Sequence, residues 1–271
     1  MKHWAAAGAG VVVGAALVAV VWAPATWLAA AVTDATGQRL VLAEARGTVW
    51  QGSAVLVLTG GAGSRSASAL PGRLDWTLGL DGAGLGLRVR QDCCINGELR
   101  MRVSPGLGRT RIELITATAP PGSGVALGQW PASWLVGLGT PWNTLQPTGS
   151  LQFSSSGFSL EQAQGRWLFS GRVELDMGNI ASRLSALDVL GSYRISLTGD
   201  APGQEGPRLQ LSTQSGALQL NGTGQWRADG AATRLRFNGS ATAAPGSEEA
   251  LGGLLNIIGR RQGAQSVISI G

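Results

Sequence analysis

The segment Gly47-Thr48-Val49-Trp50-Gln51-Gly52 and the later segment Leu70-Pro71-Gly72-Arg73-Leu74-Asp75-Trp76 constrain this chain most strongly. Each sets one large aromatic beside glycines that start or stop a strand. Glycine at such a point supplies the backbone freedom of a tight turn. Leu74, Trp76, Leu78 and Leu80 then alternate on one face, the period-two mark of a half-buried strand. No acid, base, thiol or histidine lies inside the first segment, so the pattern reads as architecture. Gly47, Trp50, Gly52, Pro71 and Trp76, with Trp226 late in the chain, are the expected structural positions. Trp50 and Trp76 are expected as core anchors on neighbouring strands.

Similar strand patterns recur along most of the chain. They cover 39–46, 53–59, 73–80, 84–90, 98–103 and 110–117 in the first part. In the second they cover 149–154, 158–162, 166–177, 192–198, 208–213, 217–228, 233–241 and 267–270. Asp81-Gly82, Asn96-Gly97 and Pro105-Gly106 are turn signals between them. Trp130, Trp134 and Leu138 lie at helical spacing, so 125–139 reads as helical, with Pro131 near its start. A short helix is expected over 182–190. Ser247 is the expected N-cap of a final helix whose stripe is Leu251, Leu254, Leu255 and Ile258. The fold class is mainly β, an antiparallel β-rich domain with a few short helices. Its organisation reads as an anchor at 1–32, a β lobe at 33–120, a helical and loop connection at 121–147 and a similar β lobe at 148–271.

The anchor is Trp4 to Ala23, a run without a charge. As a helix it is roughly 30 Å long, the thickness of a bilayer core. Lys2 and the terminal amine precede it, which keeps this end in the cytoplasm and the bulk outside. Trp22 and Trp27 lie where an aromatic belt would sit. The competing reading is a cleaved signal peptide with Ala29-Ala30-Ala31 as its small-residue site. The apolar run exceeds the usual h-region of about 7–15 residues, which favours the uncleaved anchor.

Little in the chain suggests catalysis. The single histidine, His3, precedes the anchor, so a Ser-His-Asp triad is excluded from the exterior domain. Gly82-x-Gly84-x-Gly86 lacks the following helix of a dinucleotide site. No cofactor and no metal site are expected, and the chain is not read as an enzyme. Nucleic-acid binding would pair basic clusters with stacking aromatics, and most tryptophans lie away from the arginine pairs. Those pairs are Arg88/Arg90, Arg100/Arg102, Arg109/Arg111 and Arg234/Arg236. Residues two apart on a strand share a face, so the first three pairs form a candidate partner-binding face. The alternative is a solvated surface, partly neutralised by Glu98 and Glu113. Cys93 and Cys94 are adjacent and are the only cysteines. Outside the cytoplasm they can close on each other or link to another chain.

An apolar anchor, GTVWQG at 47–52 and LPGRLDW at 70–76 resemble the type II secretion system protein N family. The tail agrees: Leu218 to Trp226 resembles the family's late strand ending in G-x-G-x-W. Phe237-Asn238-Gly239, Pro245 and the stretch 249–259 follow in the family's order. The resemblance implies a single-pass accessory component of the Gram-negative inner membrane, with its bulk in the periplasm. It implies a machine that exports folded proteins through an outer-membrane secretin, and it carries over no catalytic residues. The expected partners are other secretion subunits, either the secretin or inner-membrane platform proteins. A second reading is a lipid-binding or lipid-transfer module similar to the AsmA-like group, with an apolar groove.

Overall fold

The computed structural model describes residues 18–115, 124–163, 166–199, 206–229 and 232–271. Most of the expected anchor, Trp4 to Ala23, therefore lies outside the described residues. Among those described, no helix is long and apolar enough to cross a membrane. The chain enters as a helical turn at 18–21 and continues into helix α1 (Ala25–Ala35).

Among the described residues sixteen strands follow in one antiparallel sheet. The first part holds β1 (Leu40–Gly47), β2 (Gln51–Thr59), β3 (Ala67–Ala69), β4 (Leu74–Asp81), β5 (Gly84–Arg90), β6 (Leu99–Gly106) and β7 (Arg109–Ile115). Next come β8 (Val125–Pro131), a 3-10 helix (Ala132–Leu138) and the short α2 (Trp142–Leu145). The second part holds β9 (Thr148–Ala163), β10 (Arg166–Ala181), β11 (Gly191–Thr198), β12 (Arg208–Gly216), β13 (Leu218–Asp229) and β14 (Ala232–Ala243). Helix α3 (Glu248–Ile258), β15 (Arg260–Gln262) and β16 (Gln265–Ile270) end the chain. Neighbours in sequence are mostly neighbours in the sheet, as short antiparallel connections require. The two halves join where β7 pairs with one end of β9, while β8 pairs with the other end.

The register sorts the side chains. One row reads Leu78, Leu87, Met101 and Leu114 across β4 to β7. A second reads Leu80, Leu85, Val103, Ile112, Leu160 and Phe169 from β4 to β10. In the second half Phe153, Leu175, Ile195 and Leu211 continue the apolar face. Helices cover this face at its two ends. Helix α1 packs Ala25, Leu28, Ala29 and Val32 on Leu42, Ala54 and Trp76. Helix α3 packs Leu251, Leu254 and Leu255 on Leu190, Tyr193, Leu218 and Ala241. Tyr193 donates its hydroxyl to the Leu218 carbonyl at 3.1 Å, and burial pushes its phenol pKa up, so it stays a neutral donor.

The Trp-Gly segment earns its composition at the β1–β2 turn. Gly47 has φ +89°, and the Thr48 and Gln51 backbones hydrogen-bond across the turn at 2.8 Å. Gly52 stands opposite Trp76 on β4, and a Cβ there would lie 2.5 Å from the indole carbon Cζ2. The absent side chain is the space the ring occupies. Trp76 is 3% exposed and donates Nε1–H to the Val49 carbonyl at 3.1 Å. The late G-x-G is the same device, since a Cβ at Gly222 would meet the Phe237 ring at 2.4 Å.

Several expectations change. Trp50 is half-buried, not a core anchor, because it precedes β2 and its Nε1–H donates to the Val20 carbonyl at 2.8 Å. The region 125–139 is strand before it is 3-10 helix: the uncovered end of β9 takes β8 as partner, and Trp130 packs edge-to-face on Phe153 at 5.4 Å. Trp134 instead folds back to donate to the Ser68 carbonyl at 3.1 Å. Residues 182–190 form turns rather than a helix, held by the Ser182 hydroxyl on the Leu145 carbonyl at 2.6 Å. Ser247 occupies the N-cap position of α3, but its hydroxyl makes no capping bond.

Trp76→Ala should cost about 3–5 kcal/mol, as truncation of a buried aromatic does. Gly52→Ala should also destabilise, whereas Trp50→Ala should cost less than Trp76→Ala. Urea denaturation followed by circular dichroism checks the order, and equal losses at Trp50 and Trp76 would refute it.

Candidate functional site

The strand register that builds the apolar face also builds its reverse. Arg88 stands directly opposite Arg100, and Arg100 opposite Ile115. Arg102 stands opposite Glu113, and Arg111 lies opposite Ser104 on one side and Glu161 on the other. Arg90 and Arg109 lie on the same face, opposite Asp75 and Gly106 respectively. All six arginines therefore share one side of β5 to β7, while Val89, Met101 and Thr110 point to the other.

Most of these arginines are paired. Glu98, on the turn before β6, accepts from Arg90 Nη2 at 2.7 Å and from Arg100 Nε at 2.5 Å. Arg102 reaches Asp81 at 2.8 Å, and Arg111 contacts Glu113 at 3.2 Å and Glu161 at 3.8 Å. The Asp81 contact is shaped by the β4–β5 hairpin, where Gly82 has φ +62° and Gly86 leaves room beside the Asp81 side chain. Arg88 and Arg109 have no carboxylate partner among the described residues, and both are exposed. Like charges directly opposite on a sheet repel. Arg88 beside Arg100 is thus a positive locus that Glu98, shared with Arg90, neutralises only in part.

A cleft of about 350 Å³ opens at this locus, lined by Arg88, Arg100, Arg102, Asp81, Met101 and Ile115 among others. Ile115 is 37% exposed and gives the cleft an apolar wall. Guanidinium groups beside an aliphatic wall suit a segment carrying both a carboxylate and an apolar side chain. The Arg234 side chain lies outside the described residues. Arg236 lines a separate cleft of about 610 Å³ with Arg208, Gln210 and Thr223.

Cys93 and Cys94 are bonded to each other, and no free thiol is found among the described residues. The bonded pair therefore leaves no sulfur for another chain. Its loop is tied to β8: Gln129 N–H donates to the Cys94 carbonyl at 2.8 Å, and Asn96 N–H to the Leu127 carbonyl at 2.9 Å. Pro71 sits nearby, its carbonyl accepting from the buried Gln91 Nε2 at 3.4 Å. No local pattern in the sequence marks these ties, because they depend on β8. No group of acidic, cysteine and histidine side chains able to hold a metal occurs among the described residues.

The motifs that form the two glycine slots and the late helix fall in one collinear order. The sequence profile of type II secretion system protein N matches residues 38–270, which takes in every strand described above. The chain belongs to that family. Type II secretion protein N is an accessory, inner-membrane-associated component of the secretion machine and is not known as an enzyme. No curated protein and no solved structure matches the chain significantly.

The hydrogen bond from Arg100, and then the one from Arg90, hold the Glu98 carboxyl below its ordinary value of 4.5, against the opposing effect of burial. A depressed carboxylate stabilises the fold above its unfolded pKa and loses that contribution as pH falls through its folded pKa. Glu98→Gln should therefore be less stable than the native chain at neutral pH, and the gap should close below 4.5. Thermal melts across pH 3 to 7 check it, at roughly the range where carboxylates titrate; a gap that does not vary with pH would refute the assignment.

Proposed function

We propose that this chain is a tethered docking subunit of the type II secretion machine. In this reading the 1–32 segment anchors it in the inner membrane, its N-terminus in the cytoplasm and its β domain in the periplasm. The arginine face of β5 to β7 then receives an acidic segment of another secretion subunit, the secretin or a platform protein. The observation that carries the proposal is Arg88: exposed, opposite Arg100, without a carboxylate partner among the described residues, and lining a cleft with an apolar wall. The Cys93–Cys94 disulfide suits an oxidising compartment. The lobes at 33–120 and 148–271 act as two units on one shared sheet, each with its own buried cluster.

Photo-crosslinking amino acids at Arg88 and Arg109 in whole cells should capture another secretion subunit. The double substitution Arg88→Glu and Arg109→Glu should reduce that adduct and reduce export. Both side chains are exposed, so stability should shift by no more than about 0.5 kcal/mol each. Adducts with no secretion subunit, together with unchanged export, would refute docking through this face.

A second reading, lipid handling, has one observation in its favour. Leu78, Leu87, Met101 and Leu114 form an apolar row that is half-buried rather than buried, between the helix-covered ends of the sheet. Lipid extraction and mass spectrometry of the purified chain decide it. Phospholipid at a fixed ratio to protein supports the reading, and lipid-free protein removes it.

A further inference from the structure

The segment that leads into the sheet carries the densest exposed apolar surface among the described residues. Val18 is 61% exposed, Val20 54%, Val21 59%, Trp22 73% and Trp27 59%. Thr26, Ala30 and Ala31 on the outward side of α1 are also exposed, and no charge occurs from 18 to 33. Contiguous apolar surface of this kind marks a contact with a partner or a membrane. The sequence says which: the patch is the continuation of the uncharged run that begins at Trp4.

The segment is also fastened to the domain, not loosely linked to it. Trp50 Nε1–H donates to the Val20 carbonyl at 2.8 Å, and Val49 N–H donates to the Ala23 carbonyl at 2.9 Å. Pro24 and Thr48 form an antiparallel bridge. Ala23 and Ala25 are buried at 6% and 1%. The inward side of α1, with Leu28, Ala29 and Val32, packs on the cluster around Trp76. Its outward side thus has a fixed orientation relative to the sheet, set by these contacts.

We infer that α1 is a membrane-seating helix. Trp22 and the outward side of α1, with Trp27 at its centre, lie in the headgroup layer of the bilayer that holds the anchor. Indole rings favour that layer because the ring is apolar while its N–H keeps polar company. The β domain is then held against the membrane in one orientation by the Trp50 joint. This inference rests on the membrane-anchor reading above.

The test uses the full chain reconstituted in vesicles of phosphatidylethanolamine and phosphatidylglycerol, with no other protein present. An environment-sensitive fluorophore is placed on Ala30→Cys, or on Gln214→Cys, an exposed position on β12. The native disulfide does not react with a maleimide. Lipids carrying a quencher near the headgroup should remove most of the Ala30 signal and leave the Gln214 signal unchanged. Adding Trp22→Ser and Trp27→Ser should restore the Ala30 signal while the chain stays with the vesicles through alkaline washing. Three results overturn the inference. If washing strips the native chain, the anchor reading fails as well. If the chain stays but the Ala30 probe is unquenched, seating fails and the anchor reading stands. If quenching persists without both tryptophans, the helix is not seated by them.

Discussion

The packing of Trp76 over Gly52 is the contact on which the first half of the molecule depends. A sheet with one apolar face needs something to fix which residues of adjacent strands stand opposite, since a slip of one residue moves every side chain to the other face. Here the indole fills the place where a Cβ would be, and its Nε1–H reaches the Val49 carbonyl. Only one register between β2 and β4 satisfies both. That register propagates through β5, β6 and β7, and it decides that leucines and Met101 share one side while six arginines share the other. The basic face is thus a consequence of where one aromatic ring is seated.

The second half repeats the solution with a different ring. Phe237 lies over Gly222 and Gly224 of β13 and beside Gly239 of its own strand. The slot fixes β13 against β14, and α3 then closes the adjacent face with Leu251, Leu254 and Leu255. Two glycine slots, each near a covering helix, leave a long stretch of sheet between them. Apart from Phe169, most of its apolar residues are half-buried, which distinguishes this architecture from a two-layer sandwich where the inner faces bury each other.

The strands were largely legible, because alternation and glycine turns are local signals. The stripe of α3 was legible for the same reason. The role of Trp50 was not, because a tryptophan beside glycine reads as core until its Nε1–H is seen to reach the Val20 carbonyl thirty residues away. Strand β8 was hidden by Trp130, Trp134 and Leu138, whose helical spacing is real but unused: the free end of β9 outweighs local preference. The shared face of Arg88 to Arg111 was legible from i, i+2 spacing alone. Which of those arginines stay unpaired was not, since Asp81 meets Arg102 across an intervening strand, and Glu161 lies fifty residues from Arg111.

That partial neutralisation bears on what the face can recognise. A surface of unpaired arginines would bind any polyanion and lose affinity steeply with salt. On β5 to β7 most guanidinium groups already pair with Glu98, Asp81, Glu113 and Glu161. An incoming carboxylate would find Arg88 without a carboxylate partner among the described residues, with Arg100 beside it and Ile115 alongside. Such an arrangement gains little from bulk attraction and more from fit, and intervening water is excluded only by a partner with an apolar side chain at the matching place. Selectivity of this kind would fit the docking role proposed above better than the collection of anionic surfaces in general.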